Sequence, residues 1–234
     1  MMRRALRRAG LTLLPAVAAL GIFGGGVVAG PGVATRDAPP DATPDAPPDA
    51  TASLCAQAVA YVEDRLAIPS QLLSAIALAE SGRWDSARGK SVSWPWTIYS
   101  EGHPHYPIDK KSAIAAVRSM KARGVRNIDV GCLQVNLFYH PNAFDDLDEA
   151  FDPAANTTYA GQLLLRLQNT HRSWSRAIAF YHSATRKYAM PYLRRVQRLW
   201  LVERRREAVQ LRDARIEALR MEKAERETTQ AGDG

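Results

Sequence analysis

The chain has 234 residues, with 31 Lys and Arg against 24 Asp and Glu, a net charge of +7, and two cysteines. That length suffices for one well-buried domain with appendages. The charge excludes less than its size suggests, because residues 35–193 hold sixteen basic and sixteen acidic side chains and the excess sits at the two ends. A neutral body lacks the field that grips nucleic acid, so no nucleic-acid partner is expected.

Residues 1–34 open with Arg3, Arg4, Arg7 and Arg8 and no acid, continue with an apolar run over residues 11–29, and end in small residues at Ala29 and Ala34. Basic, apolar, small is the order of an export signal, although the run is also long enough to remain as an N-terminal membrane anchor. Pro15 and the run Gly24-Gly25-Gly26 favour removal. Residues 35–52 repeat Asp, Ala, Pro and Thr with nothing to bury, which predicts a stiff, extended linker.

From residue 53 the pattern turns helical, and a catalytic-size domain is expected over residues 53–200. Apolar periodicity predicts helices over residues 54–66, 68–81 and 111–123, a long one over 153–170 capped by Asp152, and another over 173–183. The expected class is therefore all-α, interrupted between residues 82 and 109 by a loop or short hairpin rich in Trp, Gly and Pro. Trp96 stands in that segment. Aromatics there are either cover for the core or faces on which a sugar ring can stack, and the sugar role is the expectation for Trp96. Residues 201–234 continue a charge-laced stretch that begins near Tyr192. Arg206 and Asp213 occupy the would-be core positions of its heptads, so a solvated helix or a disordered tail is expected rather than a zipper.

Cys55 and Cys132 allow only one pairing. In an exported chain they are expected to form a disulfide, two buried thiols being the alternative. Two cysteines cannot complete a four-ligand zinc site, and His103 and His105 are too few, so no metal is expected.

The most informative position is Glu80. Leu72, Leu73, Ile76 and Ala77 define one apolar stripe, and counting on by helical steps lands on Glu80. An inward carboxyl loses hydration, and the negative end of the helix dipole disfavours its charge further. Both effects raise its pKa toward the range that general-acid chemistry requires. The alternative is a frayed helix end whose side chain turns to water before Gly82.

Four separated segments accompany it: Glu80-Ser81; Asp129-Val130-Gly131-Cys132-Leu133-Gln134-Val135-Asn136; Asn156 with Tyr159-Ala160; and Phe180-Tyr181-His182-Ser183-Ala184. In this order they resemble the motifs of the soluble-lytic-transglycosylase catalytic-domain family. In that family Glu-Ser, Gly-Leu-Met-Gln, Asn with a following Tyr-Ala, and Ala-Tyr-Asn-Ala-Gly recur. Here Cys132 replaces the usual leucine and His182 stands where the family has Asn.

The resemblance implies a goose-lysozyme-like helical fold, a location in the periplasm, and cleavage of peptidoglycan glycan strands by one carboxyl without a cofactor. Glu80 is the implied catalytic residue. Ser81, Gln134, Asn136, Tyr159, Tyr181, His182 and Trp96 are the expected substrate-binding residues, with Ser81 also able to orient Glu80 and Tyr181 able to hydrogen-bond it. No second acid stands on a comparably apolar face. Asp85 lies in a turn and Asp129 on an expected loop, although either would make the enzyme a hydrolase if it activated water. A non-catalytic glycan-binding module is the third reading. A monomer is expected, with the charged tail available to an envelope secretion or flagellar assembly.

Overall fold

The computed structural model describes residues 48–232, so the expected export signal and most of the expected linker lie outside the described residues. Helix α1 (Pro48–Arg65) starts earlier than the sequence pattern predicts, and Thr51 and Ala52 are already buried. The physical reason is local. Pro48 forfeits only an N–H that a first turn leaves unpaired, and Ala50 and Ala52 are strong helix formers.

Helix α2 (Leu72–Ser81) is the centre of the domain, with seven of its ten residues buried. Its N-terminus has no side-chain cap of its own, and Gln71 takes a left-handed φ of 63°. The buried Glu63 of α1 supplies the cap instead, accepting the backbone N–H groups of Gln71, Leu73 and Ser74. These bonds satisfy donors that a helix start leaves open.

After α2 the chain turns at once into a hairpin, β1 (Gly82–Asp85) and β2 (Lys90–Ser93), paired antiparallel with Trp84 opposite Ser91. A four-stranded antiparallel sheet follows: β3 (Ile98–Ser100), β4 (His103–His105), β5 (Ile128–Val130) and β6 (Val135–Asn136), in spatial order β4-β3-β5-β6. The protein is mainly helical, but this is more β-structure than one hairpin. Asp129, expected on a loop, lies on β5, and residues 128–136 supply two strands and the tight turn between them.

The remaining helices are α3 (Lys110–Ala122), α4 (Leu147–Ala150), α5 (Pro153–His171), α6 (Trp174–His182) and α7 (Arg186–Gly232). Asp152 caps α5 through the N–H of Ala155, and Ser173 caps α6 through that of Arg176. The tail is one helix, α7. Its first turns are buried at Ala189, Tyr192, Leu193 and Val196, and its docking against the start of α2 ends with Trp200 on the Ser70 carbonyl and Glu207 on Ser70 and Gln71. Residues 208–228 are exposed throughout. Among the described residues no helix is long and apolar enough to cross a membrane.

Two apolar clusters result. One joins α1, α2, α5, α6 and α7 through Val59, Leu73, Ile76, Leu133, Leu164, Ile178 and Val196. The other packs the sheet on α3 through Trp96, Ile98, Val117, Ile128, Val130 and Phe151. A disulfide joins Cys55 on α1 to Cys132 in the β5–β6 turn, with Cα atoms 5.6 Å apart.

Candidate active site

Glu80 lies one residue from the end of α2, where the helix meets the β5–β6 turn. Two devices hold that junction. Ser81 is fully buried, and its hydroxyl donates to the Ala77 and Cys132 carbonyls at 3.1 and 2.7 Å. It therefore fixes the helix end to the turn, and the expectation that Ser81 meets substrate is corrected.

The turn itself is set by Asn156 of α5, also fully buried. Its Oδ1 accepts the Leu133 N–H, and its Nδ2 donates to the Val130 and Ala150 carbonyls, all at 3.0 Å. Gly131 crosses this amide with φ +83°, and a Cβ there would stand 2.3 Å from Asn156 Nδ2. Only glycine meets both demands.

A cleft of about 600 Å³ opens beside this junction. Its walls include Glu80, Tyr99, Asn127, Asp129, Gln134, Asn136, Tyr139, His140, Tyr181, His182, Tyr192 and Arg195. Burial pushes the Glu80 carboxyl up to about 7, the charge of Asp129 adds to the rise, and a hydrogen bond from Tyr192 and the charge of Arg195 oppose it. Tyr192 Oη donates to Glu80 Oε1 at 2.6 Å. Burial and the neighbouring Glu80 raise the Tyr192 phenol well above its ordinary value, so it remains a donor.

Tyr192 is the functional residue that sequence reasoning missed, because it was grouped with the charged tail. The signal was present: Ala189, Tyr192, Val196 and Leu199 recur at helical spacing ahead of the exposed stretch. Tyr181, expected to bond Glu80, instead donates to the Leu133 carbonyl at 2.8 Å and lines the wall.

The expected loop at Asp129 is corrected as well. The residue sits on β5, faces the same cleft as Glu80, and burial raises its pKa. Asn136 Nδ2 donates to it at 2.7 Å. A second acid thus stands in the cleft, which keeps open the water-activating role that the sequence allowed for Asp129. Asn136 itself is fully engaged: Nδ2 also donates to Asn127, and Oδ1 accepts the N–H groups of Phe138 and Tyr139. It shapes the wall and holds Asp129, rather than offering a free amide.

Gln134, expected to bind substrate, lines the cleft but spends its amide on the turn. Its Nε2 donates inward to the Gly131 and Thr97 carbonyls at 2.8 and 3.0 Å, while its buried Oε1 has no partner among the described residues. The amide therefore braces the turn behind the wall, with neither end presented to the cleft. Tyr159 stands behind the wall, its hydroxyl 2.9 Å from Nδ1 of the cleft residue His140. His182 does face the cleft, stacked on the Tyr192 ring with centroids 4.4 Å apart. Trp96 is 4% exposed inside the second core, far from any sugar-stacking role, and Trp94 is likewise buried with Arg83 over its ring. The exposed aromatics at the cleft are Tyr99 and Tyr139.

A scan against protein-family models, a search of curated proteins and a search of solved structures each return no match for this chain. The chemistry of the cleft therefore rests on its own residues. Among the described residues, no group of three or more His, Cys, Asp or Glu side chains is placed to hold a metal ion. What the arrangement can do is transfer protons near neutral pH. Glu80 is protonated in a substantial fraction of molecules at pH 7, and Tyr192 stabilises the anion it leaves behind.

Proposed function

We propose that the protein is a peptidoglycan lytic transglycosylase with a lysozyme-like helical domain. The carrying observation is Glu80, a buried-helix carboxyl raised to about 7 that opens into a cleft able to take a ligand of several hundred Å³. Glu80 gives its proton to the oxygen joining N-acetylmuramic acid to N-acetylglucosamine, and the C1–O bond breaks. The muramic 2-acetamido oxygen steadies the cationic C1. The 6-hydroxyl then attacks C1 while its proton returns to Glu80, closing a 1,6-anhydro ring with no water consumed.

One group thus acts as acid and then as base, which suits a pKa near neutrality and a donor, Tyr192, that favours the ionised form between the steps. The exposed Tyr99 and Tyr139 rings at the cleft offer stacking faces for sugar rings. The order of residues in the segment 1–34 fits delivery to the periplasm, and the exposed part of α7 would be free for an envelope assembly.

A second reading, a lysozyme-type hydrolase, is favoured by Asp129, a second carboxyl in the cleft able to activate water. One experiment separates them. Purified peptidoglycan is digested and the muropeptides are weighed. Anhydro ends, one water lighter, support the transglycosylase, reducing ends support the hydrolase, and no release removes both.

A further inference from the structure

The cleft is charged asymmetrically. Glu80 and Asp129 stand on its walls, and Arg195 is the one Lys or Arg that lines it among the described residues. Arg195 follows Tyr192 by three positions on α7, so the two share a helix face. Its charge reaches both Glu80 and His182. Burial and that same charge hold His182 below its ordinary value, and burial and Arg166 do so for His140, so neither histidine adds a cation at neutral pH.

Arg195 forms no ion pair and no hydrogen bond among the described residues, and its side chain is solvent-exposed. Three arginines elsewhere in the folded body are engaged, Arg83 on Trp94, Arg123 with Glu101 and Arg126 over Phe138, and none of them lines the cleft. A guanidinium with five donors, held beside the proton-transferring carboxyl and unpaired, is suited to a planar anion on the substrate.

The substrate's chemistry limits which anion that is, and here the inference rests on the reading of the cleft as a muramyl-glycan site. N-acetylated sugars are neutral. The one acid intrinsic to the disaccharide is the lactyl carboxyl on C3 of the muramic ring. In strands that carry peptide stems that carboxyl is an amide, and the first peptide carboxylate lies farther out along the stem. A cation within electrostatic reach of Glu80 lies at the ring being cleaved rather than at the end of a stem. We propose that Arg195 pairs with the free lactyl carboxylate next to the scissile bond, so that the cleft prefers glycan strands already stripped of their peptide stems. The reaction class that supplies this substrate is hydrolysis of the amide between the lactyl group and the stem. A stem-bearing lactyl amide offers Arg195 only a neutral carbonyl, and the charge-assisted pair is the stronger bond.

The test compares kcat/KM on two preparations of the same glycan strands, one stem-bearing and one stripped by an amidase, for the wild type, Arg195→Gln and Arg195→Lys. The wild type is expected to favour stripped strands by roughly tenfold. Arg195→Gln should bring that ratio to near one, and Arg195→Lys should retain part of it. Loss of rate by the same factor on both strands, which a merely electrostatic role at Glu80 would give, overturns the proposal. Binding is measured in parallel with Glu80→Gln, alone and combined with Arg195→Gln, on both preparations. Tighter binding of stripped strands that depends on Arg195, without any turnover by the wild type, would sink the catalytic reading and leave this one standing. Turnover without a preference would sink this one alone. Absence of both binding and turnover overturns both.

Discussion

Tyr192 and Glu80 are 112 residues apart in sequence, and the tyrosine hydroxyl donates to the glutamate carboxyl at 2.6 Å. The bond joins the end of α2 to the first buried turns of α7. The long helix α7 therefore contributes to the cleft at its root, whatever its exposed end does. Because the donor favours the ionised carboxyl, it holds the Glu80 pKa lower than burial alone would.

Tyr192→Phe follows from that bond. Without the donor, the Glu80 pKa rises further, so the limb along which activity falls with rising pH moves upward by about one pH unit. The rate at pH 6 should drop by about tenfold, since the anion between the two proton transfers loses its partner. A pH–rate profile of the variant on peptidoglycan checks both. An unmoved limb would show that the bond does not set the acidity of Glu80.

Glu80→Gln separates function from stability. Activity should fall by at least about a hundredfold, the lower range for general-acid catalysis. Stability should move the other way. The folded chain keeps the Glu80 proton up to about pH 7, whereas the unfolded chain releases it near 4.5. Folded molecules therefore hold more protons across that window, and Glu80 costs stability increasingly as pH rises through it, reaching roughly 3 kcal/mol above pH 7. Below pH 4.5 the cost vanishes. Thermal melts at pH 4 and pH 8 should show Glu80→Gln gaining on the wild type only at the higher pH.

Asp129→Asn distinguishes the two proton-transfer schemes. The Asp129 charge raises the Glu80 pKa, so its removal should shift the descending limb of the pH profile to lower pH. Asparagine can still accept the bond from Asn136, which preserves the wall. If the muramic 6-hydroxyl is the nucleophile, the rate at the new optimum should stay within about tenfold of wild type. A hydrolase that needs Asp129 to activate water should lose about a hundredfold or more. Product masses measured alongside the rates identify which reaction survives.

The helices and much of the cleft are legible in the sequence, for reasons that particular residues make plain. The stripe from Leu72 to Ala77 carries period and hydrophobicity together, and Asp152 before Pro153 is a helix start by two independent signals. Asp129 was misread because Ile128, Asp129 and Val130 alternate for only three residues, too short a run to declare a strand. Trp96 was misread because a buried and a sugar-facing tryptophan look alike in a loop. Gln134 and Asn136 were placed correctly beside the cleft, but sequence does not reveal whether an amide spends its donors inward. Asn136 spends its donors and its acceptor, and Gln134 only its donors.

The β5–β6 turn carries the last prediction, because contacts from three helices beside the cleft meet there. Ser81 ties α2 to the Cys132 carbonyl, Tyr181 donates to that of Leu133, and the disulfide holds Cys132 to α1. Gly131→Ala would combine a left-handed φ with a Cβ 2.3 Å from the Asn156 amide, which cannot retreat without releasing three hydrogen bonds to buried backbone groups. The expected loss is about 3 kcal/mol or more. Asn156→Ala with Gly131→Ala would relieve the clash but not the strain or the lost bonds, so the double variant should be less than additive. Urea denaturation of the two single variants and the double variant measures this. Additive losses would mean that the cost of Gly131→Ala does not come from its clash with Asn156. A Gly131→Ala variant as stable as wild type would mean that the turn tolerates a side chain at its tightest point.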